Sequence, residues 1–305
     1  MAYTGAVNIG ELGGTGNGTD RQDLFKELYV ETLEAYTRSN IGEGLISVMS
    51  IPSGKAGEFI VGEYADGTDH TTHVSGSQIS VTDQAFDKRL INIDDLEYVA
   101  KRIDSFEEMM AHYPSRTVVT NYMGETMAKF VDRKIFTTVE GAATATGLVS
   151  NPVASNVVNA AIASGATSAA KGNAIAESII EAQAALEVVD NMNPAVCVLD
   201  PINYSYLLQS DRMVSKDFTD GNGGLDTGKV GMVGGVAIYK SNNLPSTANL
   251  EGLVFTKEAA GMLKLQDLKS EVNYQPDFFA DLLSVRLGVG YGTLRPECAV
   301  TIKSA

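Results

Sequence analysis

The segment with the most suggestive spacing for chemistry is the glycine-rich stretch Gly223-Gly224-Leu225-Asp226-Thr227-Gly228-Lys229. It nearly matches the loop whose backbone N–H groups cradle nucleotide phosphates. That loop needs a Ser or Thr directly after its lysine to bind Mg²⁺, whereas position 230 is Val, and no strand pattern precedes the segment. We therefore interpret it as a glycine-rich surface loop.

Metal ligands and nucleophiles are equally incomplete. His70 and His73 lie near Asp66 and Asp69, but the chain has three histidines in all and this turn-rich stretch offers no third clear ligand. Neither cysteine has a histidine near it in sequence, and no G-x-S-x-G elbow occurs. The sequence thus offers no nucleophile with an identifiable base.

The remaining ionisable groups do not suggest an acid and base pair. Asp94-Asp95 and Glu107-Glu108 are adjacent carboxylates, and adjacent residues of a helix or strand point apart. Cys197 and Cys298 each lie in an apolar stretch typical of a buried strand, which favours two core thiols over a disulfide. We predict a protein that is not an enzyme and that has no cofactor and no metal.

Composition and charge indicate a globular, acidic protein. The 305 residues are 44% hydrophobic and 20% charged, and 23 Lys and Arg face 38 Asp and Glu, for a formal net charge of −15. The basic residues form only isolated pairs such as Lys88-Arg89, so tight binding to nucleic acid is not expected. An acidic wall can still enclose DNA without adhering to it. No apolar run approaches the roughly 18 residues of a membrane span, so we predict no membrane partner.

The first third of the chain predicts an arm, a helix and a hairpin. Five glycines between positions 10 and 18 predict a mobile arm, and a helix begins near Asp20 and ends before Gly42. Four short β-patterned pieces follow, at 45–51, 58–64, 78–82 and 89–93, separated by Gly, Asp and Thr turns. This region has little core of its own, which predicts a projecting hairpin that lies on a neighbour.

Two helices come next, and an α/β pattern follows. Ser105 with Glu108 forms a capping box for a helix with apolar residues at 106, 109, 110 and 113, and a long helix over 115–138 has one apolar side. The uncharged stretch 141–170 is typical of a linker or a buried crossing segment. Beyond it the pattern predicts a helix near 175–189, a strand at 195–199, a helix opened by Asp200-Pro201, and strands at 235–239, 252–255, 279–290 and 299–303.

Several short motifs occur in an order and spacing that resemble a known family. They are Ala35-Tyr36-Thr37-Arg38-Ser39, Ile51-Pro52-Ser53-Gly54-Lys55-Ala56-Gly57-Glu58-Phe59, His112-Tyr113, Gly124-Glu125, Asp200-Pro201 with Tyr204-Ser205 and Leu208, Phe279-Ala280-Asp281, and Leu294-Arg295-Pro296-Glu297. Together the chain resembles the Hong-Kong-97-type major capsid fold of tailed bacteriophages, in its short-tailed, podovirus-type branch.

The resemblance implies an α+β fold with five parts. These are an N-terminal arm and first helix (1–42), an extended β-hairpin loop (43–94), a peripheral domain with a long spine helix (95–170), an α/β axial domain (171–290), and a C-terminal strand that returns to the peripheral domain (291–305).

The resemblance also implies partners and a place of action. Such subunits form hexamers and pentamers of an icosahedral head, are assembled in the host bacterial cytoplasm with a scaffolding protein and a portal, and enclose double-stranded DNA in the virion. On this basis the predicted subunit-interface residues are Arg38, Lys55, Phe59, Tyr64, Lys88, Arg89 and Arg295.

Two other classes of protein compete with this interpretation. A nanocompartment shell protein of the same fold would enclose protein cargo instead of DNA, and the podovirus-like motifs favour the phage. An acidic α/β enzyme is disfavoured because no group of nucleophile, base and orienting residue is present.

Overall fold

The structure is a computed structural model that describes residues 30–63, 70–81, 83–110, 115–145, 157–160, 162, 166–210 and 231–304. Several predicted features therefore lie outside the described residues. They are the glycine-rich arm and the start of the first helix, the interface residue Tyr64, the carboxylates Asp66 and Asp69, the motif His112-Tyr113, and the loop that contains Gly223 to Lys229.

Within the described residues, helices and strands are both abundant, as the predicted α+β class requires. The helices are α1 (30–39 in its described part), α2 (Ser105–Met110), α3 (Ser115–Thr144), α4 (Ser168–Val188) and α5 (Pro201–Leu208). The strands are β1 (Ser47–Ser50), β2 (Ala56–Gly62), β3 (Phe86–Asn92), β4 (Glu97–Asp104), β5 (Val157–Ala160), β6 (Val196–Leu199), β7 (Met232–Val233), β8 (Val236–Lys240), β9 (Leu250–Phe255), β10 (Ala260–Gln275), β11 (Ala280–Thr293) and β12 (Ala299–Ser304).

The chain divides into two compact units. Unit 1 contains 30–40, Asp94–Val131 and Leu265–Val289, and unit 2 contains Ile41–Ile93, Asp132–Lys264 and the C-terminal segment from Gly290, with the gaps given above. The five-part division by arm, extended loop and two domains refers to an assembled subunit, so it stays a prediction here.

Unit 2 is built on a six-stranded mixed sheet in the order β5-β12-β9-β6-β8-β7. Helices α4 and α5 pack against it because Ile175, Ile179 and Leu186 recur on one face of α4 and are fully buried in the core of the sheet.

Cys197 and Cys298 are buried free thiols, as predicted, and burial raises the pKa of the Cys197 thiol.

Helices α4 and α5 approach each other closely at a glycine. A Cβ on Gly172 would lie 2.1 Å from the backbone oxygen of Tyr206, so no larger residue fits there without moving a helix. The start of α5 is the predicted one: the Asp200 carboxylate accepts a hydrogen bond from the Ile202 N–H (3.1 Å), and Pro201 occupies the first helical position.

Unit 1 contains the first part of α3, on which α1 packs. A Cβ on Gly124 would lie 2.7 Å from the Thr32 carbonyl oxygen, and Arg38 forms an ion pair with Glu125 at 3.4 Å. The two motifs that contain these residues are therefore in contact. Strand β11 pairs antiparallel with β4, with Ala280 opposite Asp104 and Leu287 opposite Glu97.

An arginine clamp joins three elements of unit 1. Arg116 of α3 donates two hydrogen bonds to Glu108 of α2 (3.0 and 2.9 Å) and a third to Asp281 of β11 (2.8 Å). The hydrogen bond from Arg116 lowers the pKa of Glu108, so the pair stays ionised at neutral pH. Glu108 is thus the salt-bridge partner of Arg116 within the same chain.

The prediction for the start of α2 is wrong. The helix is capped by Asp104, whose carboxylate accepts from the Phe106 N–H at 2.7 Å, and Ser105 is already helical. Its apolar residues Phe106, Met109 and Met110 are exposed. Helical periodicity places these side chains on one side but does not say that the same chain covers that side.

The strand predicted at 78–82 is absent over its described residues, 78–81. Ile79 and Val81 alternate as in a strand, but both are strongly exposed, and these residues pair with no strand in the described chain. A segment with a β pattern forms a strand only where the backbone of another strand pairs with it.

Four strands are missed by the sequence patterns, namely β4, β5, β7 and β10. β10 is 16 residues long and pairs parallel with β1 through its first residues, with Ser47 opposite Gly261. Its burial pattern changes from fully buried to alternating along its length, so it lacks the single period that identifies a strand. Helix α3 is also longer than predicted and ends at Thr144 instead of residue 138.

A buried carboxylate of α3 binds the backbone of the segment just before β1. Asp132 of α3 accepts hydrogen bonds from the backbone N–H groups of Gly42 (2.8 Å) and Ile41 (3.2 Å) and from the side-chain amide of Asn243 (3.2 Å). Burial raises the pKa of Asp132, and the hydrogen bonds from Gly42, Asn243 and Ile41 partly oppose that rise. The carboxylate thereby fixes the turn that leads into β1.

We predict that Asp132→Ala lowers the free energy of unfolding by about 3 kcal/mol, because buried N–H groups of residues 41 and 42 lose their acceptor. Asp132→Asn costs less, since its remaining oxygen can still accept. The folded pKa lies above the unfolded value of about 3.9, so the contribution of Asp132 is fully present below the unfolded pKa and is lost as pH rises through the folded pKa.

The cost of Asp132→Asn should therefore be larger at pH 4 than at pH 7. Urea-unfolding midpoints of unassembled protein at the two pH values measure it, with the exposed Asp95→Asn as the control for removing one charge. A cost that stays constant or grows between pH 4 and pH 7 would contradict the burial argument.

Candidate subunit interface

The segment 43–94, predicted to be an extended loop, contains a two-stranded antiparallel ribbon. Strands β2 and β3 pair in a two-stranded sheet from Ala56 opposite Asn92 to Gly62 opposite Phe86. Because side chains alternate along a strand, the ribbon has two faces. We call the face with Gly57, Phe59, Val61, Arg89 and Ile91 the inner face. We call the face with Glu58, Ile60, Phe86, Lys88 and Leu90 the outer face.

The inner face packs on its own chain. Val61 and Ile91 are buried, and Phe59 packs on a cluster formed by Ile91, Ile93, Leu263 and Leu294. The ribbon lies so close to β10 that a Cβ on Gly57 would be 2.6 Å from the Leu263 side chain. The ribbon thus packs on other residues of unit 2. Its inner face is therefore buried to a greater extent than the sequence of the ribbon alone suggests.

Arg295 secures the far end of β2 from within the same unit. Its guanidinium donates to the Gly62 carbonyl oxygen (3.0 Å), forms an ion pair with Glu258 (3.2 Å), and lies 3.7 Å from the fully buried carboxylate of Glu297. The arginine therefore neutralises a buried charge and ends the ribbon with a hydrogen bond.

The outer face is apolar and exposed. Ile60, Phe86 and Leu90 have exposed fractions of 71%, 65% and 59%. They surround one polar pair, in which the Lys88 ammonium lies 3.1 Å from the Glu58 carboxylate. Three large apolar side chains on one face of a ribbon are typical of a surface that another protein covers.

The predicted interface residues divide between these surroundings. Lys88 lies on the outer face and Lys55 is exposed just before β2, whereas Phe59 and Arg89 belong to the inner face, and Arg295 contacts the end of β2 within its own unit. Arg38 is an exposed residue of α1 paired with Glu125. Their role between subunits stays a prediction, and Tyr64 lies outside the described residues.

Sequence reasoning missed the apolar part of the outer face. Ile60, Phe86 and Leu90 were available from the alternation of β2 and β3, since the register joins every second residue of each strand into one face. Which of the two faces is exposed could not be read from that alternation, because both faces carry large apolar residues.

No group of three or more His, Cys, Asp or Glu residues that could hold a metal ion occurs in the described part of the chain, where His70 and His73 are exposed. None of the described helices is long and apolar enough to cross a membrane.

We predict that Arg295→Ala lowers the free energy of unfolding by about 3 kcal/mol, because Glu297 is left as a buried charge without its arginine. Adding Glu297→Gln to that variant should recover part of the loss. Arg38→Ala is the matched control: it removes an exposed arginine pair and should cost under about 1 kcal/mol. Urea unfolding measures these free energies of unfolding. Equal decreases for Arg295→Ala and Arg38→Ala would contradict the stabilising role of Arg295.

Comparison with known proteins identifies the family. The sequence model of the Gp10A-like family, described as major capsid protein, matches residues 67–252 and 246–303. The major capsid protein of Escherichia phage T7 is 25% identical in an alignment of 344 residues that covers 98% of this chain and 97% of that protein.

Solved structures agree in fold. The capsid structure of the cyanophage P-SCSP1u is similar with a TM-score of 0.74 and 27% identity over 87% of this chain and 88% of that chain. A virus-like particle from Pyrococcus furiosus has a TM-score of 0.58 at 15% identity, over 92% of this chain and 100% of that chain, which is a likeness of fold alone. The predicted phage capsid fold and its short-tailed branch are confirmed. Since the family model spans most of the sequence, the chain belongs to the Gp10A-like family of major capsid proteins, the structural subunits of phage capsid shells.

Proposed function

We propose that the chain assembles as hexamers and pentamers into an icosahedral phage head, and that the outer face of the β2–β3 ribbon contacts the adjacent subunit. The observation that carries the proposal is the exposure of Ile60, Phe86 and Leu90 on a face whose opposite side is fully supported. Burying three such side chains is worth roughly 1.5 to 3 kcal/mol each before the entropic cost of association, so the face can supply a substantial part of a subunit contact.

In this proposal the inner face and Arg295 support the ribbon on its own unit. Phe59 and Arg295 hold the ribbon on its own unit, so the outer face reaches a neighbour in one conformation and loses little entropy on binding. Lys88 lies among the apolar residues of the outer face, paired with Glu58, and Lys55 lies just before β2; charges of this kind mainly set the register of a contact. Arg38, Tyr64 and Arg89 remain proposed interface residues on the resemblance alone.

The head encloses double-stranded DNA without binding its sequence. The formal net charge of −15 keeps the duplex from adhering, since phosphate binding needs clustered cations. We further propose that a scaffolding protein and a portal take part in assembly in the host bacterial cytoplasm, and that the subunit itself catalyses no reaction and needs no cofactor.

A nanocompartment shell is the less favoured alternative. It is supported by fold alone, through the particle from Pyrococcus furiosus at 15% identity. The sequence match to a phage capsid family favours a container for DNA.

We predict that Ile60→Ser with Leu90→Ser leaves folding nearly unchanged, within about 0.5 kcal/mol, because both side chains are exposed in the single chain. The same change should raise the concentration at which shells form by at least about tenfold. Negative-stain electron microscopy and size-exclusion chromatography of the chain, expressed with a candidate scaffolding protein, measure shell formation.

The matched control is Val188→Ser, which removes an exposed apolar side chain at the end of α4. It should assemble as the unmodified chain does. Normal shells from the Ile60→Ser, Leu90→Ser variant at unchanged concentration would rule out the outer face. Shells that form equally well without any scaffolding protein would favour the nanocompartment.

A further inference from the structure

The segment 41–43, through which the chain passes from α1 to β1, is held by side chains from three other parts of unit 2. Asp132 of α3 and Asn243, which follows β8, meet at its first two residues. Lys264 of β10 forms an ion pair with Glu43. We call Asp132, Asn243, Glu43 and Lys264 the Asp132 cluster.

The segment lies directly against Asp132. A Cβ on Gly42 would be 3.0 Å from Asp132 Oδ1 and 3.2 Å from the Ile135 side chain, so only glycine fits there without displacing a neighbour. Both Gly42 and the Asp132 side chain are buried. Water therefore does not replace the hydrogen bond of the Gly42 N–H, and the state of one carboxylate acts directly on this backbone.

The two oxygens of Asp132 have different partners. Oδ1 accepts from the Gly42 N–H (2.8 Å) and is the nearer oxygen to the Ile41 N–H (3.2 Å, against 3.4 Å for Oδ2). Oδ2 faces the side-chain amide of Asn243 at 3.2 Å. A proton on Oδ2 thus leaves both backbone hydrogen bonds in place. Asn243 accepts the new hydrogen bond once its amide turns, because an amide has a donor end and an acceptor end.

The surroundings of Asp132 favour its neutral form. Burial raises the pKa of Asp132, and the negative charge of Glu43 raises it further, against the hydrogen bonds from Gly42, Asn243 and Ile41. The cluster is therefore bound most firmly when the carboxylate carries a proton.

The charged side chains around Asp132 come from three directions. Lys264 pairs with Glu43 and so offsets part of the negative charge at the site. The connection between β8 and β9, residues 241–249, carries no charged residue. The two charged residues beside Asp132 on α3 are exposed to water, which screens their charges, namely Arg133 and Lys134. Among the described residues, Glu43 is thus the charge that acts most directly on Asp132.

We propose that the Asp132 cluster is a pH-sensitive latch, which holds the segment 41–43 firmly while Asp132 is neutral and loosens it when Asp132 is ionised. The ionised carboxylate bears the cost of a buried charge and repels Glu43, so it weakens both attachments of the segment at once. The loosening stays local because the β2–β3 ribbon has its own support from Phe59 and Arg295. In a shell of the kind proposed above, the connection from α1 then adjusts without moving the outer face.

Hydrogen exchange measured by mass spectrometry on the unassembled full-length chain tests the latch. Since the folded pKa of Asp132 lies above the unfolded one, its stabilising effect is present at low pH and is lost as pH rises through the folded pKa. Corrected for the pH dependence of exchange in an unstructured chain, the protection of a peptide over 41–46 should fall at least about threefold between pH 4 and pH 7. A peptide over 56–62 should keep its protection.

The controls change one carboxylate at a time. Asp132→Asn is neutral at every pH, so its protection over 41–46 should not fall between these two pH values. Asp95→Asn removes an exposed carboxylate and should behave as the unmodified chain does. An equal fall in Asp132→Asn and in the unmodified chain would overturn the latch. An equal fall over 56–62 would also overturn it, because the loosening would then not be local.

A pair of variants separates the effect of charge from the loss of a contact. Glu43→Gln and Lys264→Gln break the same ion pair, so both remove one attachment of the segment. Glu43→Gln removes the negative charge that faces Asp132 and should move the fall in protection to lower pH. Lys264→Gln leaves that charge without its cation and should move the fall to higher pH.

These two variants decide the question if Asp132→Asn does not fold. Midpoints that move in opposite directions support the latch, and midpoints that move in the same direction or stay in place overturn it. Because exchange is measured on the unassembled chain, the result does not depend on whether shells form, so failure of the latch and failure of the proposed assembly are distinguishable.

Discussion

The packing of the β2–β3 ribbon on the rest of unit 2 is the constraint from which the proposed assembly surface follows. A two-stranded ribbon has two faces and too little material to cover both. Close approach at Gly57, the apolar cluster around Ile91 and Leu294, and the hydrogen bond from Arg295 all act on the inner face. The outer face is consequently presented in a defined orientation on its own unit, and its apolar side chains can be covered only by another element.

Two carboxylates, one in each unit, hold elements of their own unit in place by opposite electrostatic means. Glu108 is ionised beside Arg116, which lowers the pKa of Glu108, and it gains stability from a charge pair. Asp132 is buried with backbone and amide donors instead, and burial raises the pKa of Asp132. The first arrangement weakens as pH falls through the folded pKa of Glu108, whereas the second weakens as pH rises through that of Asp132. The fold thus contains one carboxylate whose contribution to stability is lost as pH falls and one whose contribution is lost as pH rises.

Where local signals and chain contacts agreed, the sequence was sufficient. Asp200-Pro201 predicts the start of α5 because the cap and the proline act within one turn, and the periodic residues of α4 predict a buried face that unit 2 covers. The order of short motifs that resembles the capsid fold also has a physical basis: Arg38 forms an ion pair with Glu125, and Leu294-Arg295 contacts the β2–β3 ribbon. None of these pairings is visible in the motifs taken singly.

Most of the failures concern surfaces and partners that lie far along the chain, whereas the cap of α2 is a local error of one residue, with Asp104 in the place predicted for Ser105. Strand β10 is specified by β1 on one side and by β11 on the other, so its own residues carry a mixed pattern. The apolar side of α2 is as periodic as that of α4, yet one is exposed and the other buried. In a protein that completes its burial by assembly, periodicity identifies which side chains act together, and only the folded chain separates those that fold it from those left for a neighbour.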